Sequence, residues 1–90
     1  MPATHRSDRH NVEIGREVAR VRRAAGLTQA GLAGRLGVHP SLVGRAETGA
    51  VNWTIGQLAR FAAALDADLV VRLAQGAQGN RAGGTESSNG

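Results

Sequence analysis

The sequence predicts an all-α fold of four to five short helices, with one short β-strand added near the C-terminus. Several short segments carry apolar residues at the three- and four-residue spacing of an amphipathic helix, and glycines follow three of them. After residue 66 the apolar residues alternate instead, which is the spacing of a strand. Ninety residues are enough for one domain with a small core.

The first predicted helix begins near Asn11, a residue suited to the N-cap, and ends at Gly26. Its apolar face consists of Ile14, Val18, Val21 and Ala25. The ten residues that precede this helix are mostly polar or charged. We therefore expect residues 1–10 to form a flexible arm.

Two shorter helices follow, joined by the sequence GVHP. Thr28 is predicted to cap the second helix, which ends at Gly37. The third begins at Pro40, because proline at the first helical position sacrifices no hydrogen bond, and it runs to about Thr48. The predicted inward positions are Leu32, Ala33, Leu36, Leu42, Val43 and Ala46. Neither helix could bury an apolar face alone, so the two are expected to pack together.

The fourth predicted helix begins with a capping box, in which Thr54 bonds forward and Gln57 bonds back. Its apolar stripe is Ile55, Leu58, Ala59, Ala62 and Leu65. Residues 68–73 alternate as a strand does, but the chain contains no second strand to pair with them. They would pair with another copy or another protein, or else be the end of a helix. The predicted organisation is an arm (1–10), a helical domain (11–66), a strand segment (67–74) and a disordered, glycine-rich tail (75–90).

The basic residues of this chain are all arginine, eleven in total. Six of them lie between Arg16 and Arg45 with one acid, Glu17, which leaves a charge of +5 compared with +4 for the whole chain. A local basic surplus favours a polyanionic partner, because phosphate contacts release condensed counterions. A solvated basic face, with a codon bias for arginine, would produce the same composition.

Several classes of protein are disfavoured by composition. The chain has no cysteine, which excludes disulfides and cysteine-based zinc sites, and its three histidines lack the spacing of a metal site. No apolar run is long enough to span a membrane, and the N-terminus lacks the apolar stretch of a secretory signal. No catalytic constellation is visible. We therefore expect a cytoplasmic protein that is not an enzyme and uses no cofactor or metal. Trp53 is expected to pack in the core or at an interface.

The second and third helices together are predicted to form a helix-turn-helix. The major groove of B-DNA is about 12 Å wide and admits one α-helix. In this arrangement the first helix braces the second, whose N-terminal residues meet the base edges.

The stretch GLTQAGLAGRLGVHPSLVGRAETG resembles the Xre-type helix-turn-helix family, which includes phage repressors of the Cro kind. The Leu-Thr-Gln start, the Leu-Gly-Val turn and the Arg-x-Glu-x-Gly exit are at family spacing. The resemblance runs from about Val12 to Leu65. It implies a lambda-repressor-like fold and sequence-specific DNA binding, most often for transcriptional repression.

The resemblance also implies roles for individual residues. The positions that face bases are His39, Pro40, Ser41, Gly44 and Arg45. The positions that contact the DNA backbone are Thr28, Gln29, Asn52 and Thr54. Arg22 and Glu47 match a structural ion pair of the family. Arg45 is the strongest candidate for readout, because a bidentate arginine–guanine contact contributes about 1–3 kcal/mol of discrimination.

The chain departs from the family pattern at three positions. Gly31 replaces a glutamate, so the capping box of the second helix is missing. Gly44 and Pro40 remove side chains that could have bonded a base. Readout is therefore expected to depend heavily on Arg45 and on DNA shape.

A single helix-turn-helix reads few base pairs, so we expect a homodimer that binds a palindromic operator with its recognition helices about 34 Å apart. The predicted strand offers a dimer contact through Leu69, Val70, Val71 and Leu73. This arrangement resembles HipB-type antitoxins, which implies repression of the protein's own operon and a kinase-type toxin partner. The alternative is a dimeric protein-interaction adaptor that has lost DNA binding, which the residues Gly44 and Pro40 would favour.

Overall fold

The structure, a computed structural model, describes residues 6–75 and contains four helices there. These are α1 (Arg6–Ala24), α2 (Gln29–Leu36), α3 (Pro40–Glu47) and α4 (Ile55–Ala64). Helix α3 packs against α1 and α2, and α4 packs against α2. The predicted all-α fold is confirmed. Most of the predicted arm and tail, residues 1–5 and 76–90, lies outside the described residues.

The core lies where the four helices meet. Its buried residues are Val18, Leu32, Ala33, Val43, Ala46, Trp53, Phe61 and Leu65. Leu32 of α2 and Val43 of α3 have no exposed surface, so the contact between the two short helices is the most completely buried part of the domain. Each helix thereby buries the apolar face that it could not bury alone.

The ends of the short helices follow the local signals in the sequence. The Thr28 hydroxyl accepts a hydrogen bond from the Gly31 N–H at 2.9 Å, and the Thr54 hydroxyl accepts one from the Gln57 N–H at 3.1 Å. Gly37 ends α2 in the left-handed conformation (φ 72°) that glycine adopts without strain. The return bond of the predicted capping box is not formed, since Gln57 Oε1 is buried without a hydrogen-bond partner among the described residues.

Helix α1 begins at Arg6, five residues before the predicted start, so the boundary placed at Asn11 was wrong. Asn11 lies inside the helix with its side chain buried. Its Oδ1 accepts a hydrogen bond from the Trp53 N–H at 3.0 Å, and its Nδ2 donates to Asn52 Oδ1 at 3.3 Å. The residue therefore anchors the loop before α4 instead of capping α1.

The apolar face of α4 agrees with the prediction at Leu58, Ala62 and Leu65, which are buried or half-buried, and differs at two positions. Ile55, which was placed in the stripe, is 60% exposed, and Ala59 is exposed as well. Phe61 is buried as well, and the predicted Leu65 follows it at the i, i+4 spacing. The edge of the Phe61 ring packs against the Trp53 ring at a centroid distance of 4.7 Å. Contact with Trp53 thus determines which side of α4 faces inward. At the end of α1, Ala25 is likewise exposed, not inward as predicted.

Residues 67–75 have no regular secondary structure, so the predicted strand is not formed in the single chain. A strand requires a neighbour for its backbone hydrogen bonds, and residues 6–75 contain no other strand. The apolar side chains of this segment remain in solvent: Leu69 is 37% exposed, Val70 76%, Val71 59% and Leu73 98%.

Two arginines join α2 and α4 reciprocally. Arg35 donates to the Ala64 carbonyl at 3.0 Å, and Arg60 donates to the Leu36 carbonyl at 3.3 Å. Each positive charge lies at the C-terminal end of the other helix, where the helix dipole is negative. The two contacts fix how α4 sits on the helix-turn-helix.

Candidate nucleic-acid interface

The turn between α2 and α3 is short and tightly bonded. The backbone N–H of Gly37 donates to the Gly34 carbonyl at 3.3 Å, and that of Val38 donates to the Ala33 carbonyl at 3.0 Å. The Val38 side chain is half-buried against the core. Because both residues are bonded back to α2, the direction in which the chain leaves α2 is fixed.

Helix α3 has two distinct faces. Val43, Ala46 and Glu47 are buried and pack it onto the domain. The residues predicted to face bases lie on the other side: His39, Pro40, Ser41 and Arg45 are exposed, and Gly44 is half-buried. The Arg45 guanidinium has no hydrogen bond or ion pair with any other described residue. It is therefore available to bind an external partner.

The N-terminus of α3 is capped by His39, a role that was not predicted from the sequence. His39 Nδ1 accepts a hydrogen bond from the Ser41 N–H at 3.1 Å and lies 2.9 Å from Ser41 Oγ. The signal was present in the sequence, because the residue before a proline at the first helical position is the N-cap, and an imidazole nitrogen can accept a hydrogen bond.

The residues predicted to contact the DNA backbone are all exposed, but each also has a partner within the protein. Thr28 and Thr54 cap helices through their hydroxyl oxygens. Asn52 accepts a hydrogen bond from Asn11, and Gln29 donates one to Glu47. A capping hydroxyl still has its own proton to donate, and each amide retains at least one free N–H.

The ion pair expected between Arg22 and Glu47 is present and buried. Arg22 donates to both carboxylate oxygens, at 2.6 Å from Nε and 3.0 Å from Nη2, and to the Leu27 carbonyl at 2.8 Å. Gln29 donates to the same carboxylate at 3.0 Å. Glu47 therefore ties the end of α3 to α1 and to the start of α2.

The charge of Glu47 is stabilised despite its burial. Burial alone would raise the pKa of this carboxyl, but the hydrogen bonds from Arg22 and Gln29 and the positive charges of Arg22 and Arg23 outweigh it. The pKa of Glu47 therefore lies below its ordinary value, and the carboxylate is ionised at neutral pH.

The C-terminal end of α3 is supported by contacts that were not predicted in detail. The Trp53 indole N–H donates to the Ala46 carbonyl at 3.1 Å, and the ring is buried, which confirms that this tryptophan packs in the core. On α1, a Cβ atom at Gly15 would lie 2.5 Å from the Ala46 carbonyl oxygen and 2.6 Å from that of Glu47. Only glycine permits so close an approach of α1 to α3.

The basic segment identified in the sequence divides into engaged and free arginines. Arg20 pairs with Glu17, Arg22 with Glu47, and Arg35 with a carbonyl of α4. The other three, Arg16, Arg23 and Arg45, are exposed and have no such partner within residues 6–75. Half of the arginines between Arg16 and Arg45 are thus available to bind an anion.

A family model described as a helix-turn-helix domain matches residues 13–75, which is more than half of the chain. The chain belongs to the Xre/Cro-type helix-turn-helix family. The expected family resemblance is thereby confirmed. Neither the match nor the structure tests the resemblance to HipB-type antitoxins, which stays a prediction.

This Xre/Cro-type protein is similar to a solved structure, the crystal structure of the restriction-modification controller protein C.AhdI from Aeromonas hydrophila. The identity is 33% and the TM-score 0.66, over 71% of this chain and 93% of that chain. A search of curated proteins found no match. The family and this neighbour identify a DNA-binding transcription regulator and point away from an enzyme.

Two further observations concern residues 6–75. None of their helices has the length and hydropathy required to cross a membrane. No group of three or more histidine, aspartate or glutamate side chains in this range could hold a metal ion.

Proposed function

We propose that this Xre/Cro-type regulator is a dimeric, sequence-specific repressor that places α3 in the major groove of its operator. The observation that carries the proposal is the division of α3 into a buried face and an exposed face, with His39, Ser41 and Arg45 on the exposed one. His39 and Ser41 lie at the N-terminus of α3, the end that reads base edges in helix-turn-helix proteins, and Arg45 lies on the same exposed face in the last turn.

Arg45 is the residue proposed to contribute most to base recognition. Its guanidinium is exposed and unpaired within the described residues, so no internal contact must be broken before it binds DNA. The geometry of a guanidinium matches O6 and N7 of guanine. Thr28 and Gln29 at the start of α2, with Asn52 and Thr54 before α4, are proposed to bind phosphates.

Gly44 and Pro40 limit the number of base contacts that α3 can make. A Cβ atom at Gly44 would lie 3.6 Å from Gln29 Oε1, which is an ordinary contact, so packing does not require glycine there. We therefore propose that direct readout rests on few side chains and that DNA shape supplies part of the specificity.

The test of this function is an electrophoretic shift with the DNA upstream of the protein's own gene and with random DNA. Arg45→Ala should weaken binding to the upstream site by about 1–3 kcal/mol and leave binding to random DNA almost unchanged. Arg45→Lys is the matched control, since it keeps the charge but loses the bidentate geometry. An equal loss on both DNAs would argue against base contact.

The second element of the proposal is dimerisation through residues 68–73. In the single chain Leu69, Val70, Val71 and Leu73 are exposed, and the first two line an apolar groove together with residues of α1 and α4. Pairing of this segment with its copy across a two-fold axis would satisfy its backbone and cover these side chains. Removing residues 68–90 should then reduce the sedimentation mass to that of a monomer. Removing residues 76–90 is the control and should leave the dimer intact.

The regulated genes are the third element. The proposed HipB-type role predicts that the protein represses its own operon and binds a kinase-type toxin encoded beside it. The likeness to C.AhdI favours instead the control of restriction-modification genes. Co-expression with the product of the adjacent gene separates the two. A kinase whose toxicity is suppressed by this protein would support the antitoxin role, and an adjacent nuclease or methyltransferase gene would oppose it.

The adaptor function remains the alternative, favoured by the lack of polar side chains at Gly44 and Pro40. The two functions differ in their response to salt. A repressor binds DNA with an affinity that falls steeply as the salt concentration rises, because counterions are released. An adaptor would give no salt-dependent shift on any DNA.

A further inference from the structure

The N-cap of the recognition helix α3 is an imidazole instead of a hydroxyl or a carboxylate. His39 has extended backbone angles (φ −72°, ψ 142°) and precedes Pro40, so its side chain is the group positioned to satisfy the first free N–H of the helix. Its ring bonds to Ser41 alone within the described residues, and both contacts are made by Nδ1.

These contacts determine where the ring carries its proton. A backbone N–H can only donate, so the nitrogen that lies 3.1 Å from the Ser41 N–H must offer a lone pair. Nδ1 is therefore unprotonated, and in the neutral ring the single proton is on Nε2. With no proton on Nδ1, the hydroxyl must be the donor in the 2.9 Å contact between Ser41 Oγ and Nδ1, and it shares the single Nδ1 lone pair with the Ser41 N–H.

We infer that this cap fixes the hydrogen-bonding character of the tip of α3: His39 presents its Nε2–H as a donor, and Ser41 presents its hydroxyl oxygen as an acceptor. The inference rests on the proposed function, in which this tip meets DNA. Nε2–H can bond only acceptors, such as a phosphate oxygen, N7 or O6 of guanine, or O4 of thymine. Ser41 Oγ, whose proton is used internally, is left to accept from N4 of cytosine or N6 of adenine.

His39 thus has two roles, as the cap of α3 and as a donor to DNA, and different substitutions separate them. His39→Ser retains an N-cap acceptor and removes the imidazole, while His39→Ala removes both. The inference predicts that His39→Ser unfolds at the same urea concentration as the wild type but binds the operator about threefold to tenfold more weakly, as expected for the loss of one hydrogen bond. His39→Ala should both unfold at lower urea and bind more weakly.

The tautomer can be measured without DNA, so this part of the inference is tested separately from DNA binding. In the full-length protein labelled with ¹⁵N, long-range proton–nitrogen spectra of the neutral ring should show Nδ1 as an unprotonated nitrogen and Nε2 as a protonated one. The signal is assigned by its absence from His39→Ser. A protonated Nδ1, or equal averaging of the two nitrogens, would overturn the inference.

The DNA measurements then test the donor role. Weaker binding of His39→Ser to the operator alone would place a base acceptor opposite Nε2–H, and equal weakening on random DNA would place a phosphate there. Unchanged affinity on both DNAs would overturn the donor role while leaving the proposed function intact. If the wild type bound no DNA, the proposed function would fail, and the spectra would still decide the tautomer.

Discussion

Replacing Arg22 by alanine should destabilise the domain by about 3–5 kcal/mol, because the change leaves the carboxylate of Glu47 buried without its counter-charge. The two side chains are only 9% and 5% exposed, so water cannot take over the role of the guanidinium. Three hydrogen bonds are lost with it: two to Glu47 and one to the Leu27 carbonyl. Gln29 alone would remain bonded to the carboxylate.

This loss is large compared with the whole stability of a domain of this size. Native proteins are stable by about 5–15 kcal/mol, and a chain that buries a small core belongs near the lower limit. Arg22→Ala is therefore expected to be largely unfolded at elevated temperature. Arg22→Lys serves as the milder variant, since it keeps the charge but cannot reproduce the planar set of three donors.

The assay is urea unfolding monitored by circular dichroism, and Arg20→Ala is the control. Arg20 lies on the same helix and also forms an ion pair, with Glu17, but both partners are exposed and screened by water. Its loss should barely move the unfolding midpoint. If Arg22→Ala and Arg20→Ala shifted the midpoint equally, the reasoning from burial would be wrong.

Four further predictions concern the stability of the domain. Gly15→Ala should lower the melting temperature in calorimetry, since its Cβ would lie 2.5 Å from the Ala46 carbonyl oxygen; overpacking of this kind costs about 1–3 kcal/mol. At Gly34 a Cβ atom would meet open space, so Gly34→Ala should raise the melting temperature and increase the free energy of unfolding by about 0.5–1 kcal/mol. Trp53→Phe removes the indole donor from the Ala46 carbonyl and should cost about 1–3 kcal/mol in urea unfolding. Finally, the pKa of Glu47 is lower in the folded state than in the unfolded state. The ionised carboxylate therefore contributes to stability above its unfolded-state pKa, and this contribution is lost as the pH falls through its folded-state pKa. The stability difference between wild type and Glu47→Gln, measured by urea unfolding at several pH values, should therefore narrow at acid pH.

The sequence predicted the ends of the short helices well, because the signals that set them act within one turn. The Thr28 and Thr54 hydroxyls each accept a hydrogen bond from the N–H three residues on, and Pro40 occupies the first position of α3, as expected. Gly37 adopts the left-handed conformation that ends α2. Each of these interactions joins residues that are close in the chain, so a reader of the linear sequence can identify them.

The errors arose where distant residues decide the outcome. Asn11 was taken for an N-cap, but its partners Asn52 and Trp53 lie 41 and 42 residues away along the chain. In the predicted stripe of α4, Ile55 and Ala59 were wrong because the helix turns the side that carries Phe61 towards Trp53, a contact that periodicity does not encode. Residues 68–73 have the alternation of a strand, but alternation does not supply the neighbouring strand that the backbone requires.

The candidate site shows the same division between local and distant effects. The resemblance located its residues by position, but position does not specify which polar atoms are already occupied. Gln29, assigned to a phosphate, has its amide nitrogen bonded to Glu47, the same carboxylate that Arg22 holds. A hydrogen bond from Gln29 to a phosphate must use its second amide proton, in an orientation set by the buried pair. The Glu47 carboxylate both orients Gln29 and, through Arg22, holds α3 against α1. Loss of Arg22 should therefore alter the proposed DNA-binding surface as well as the core.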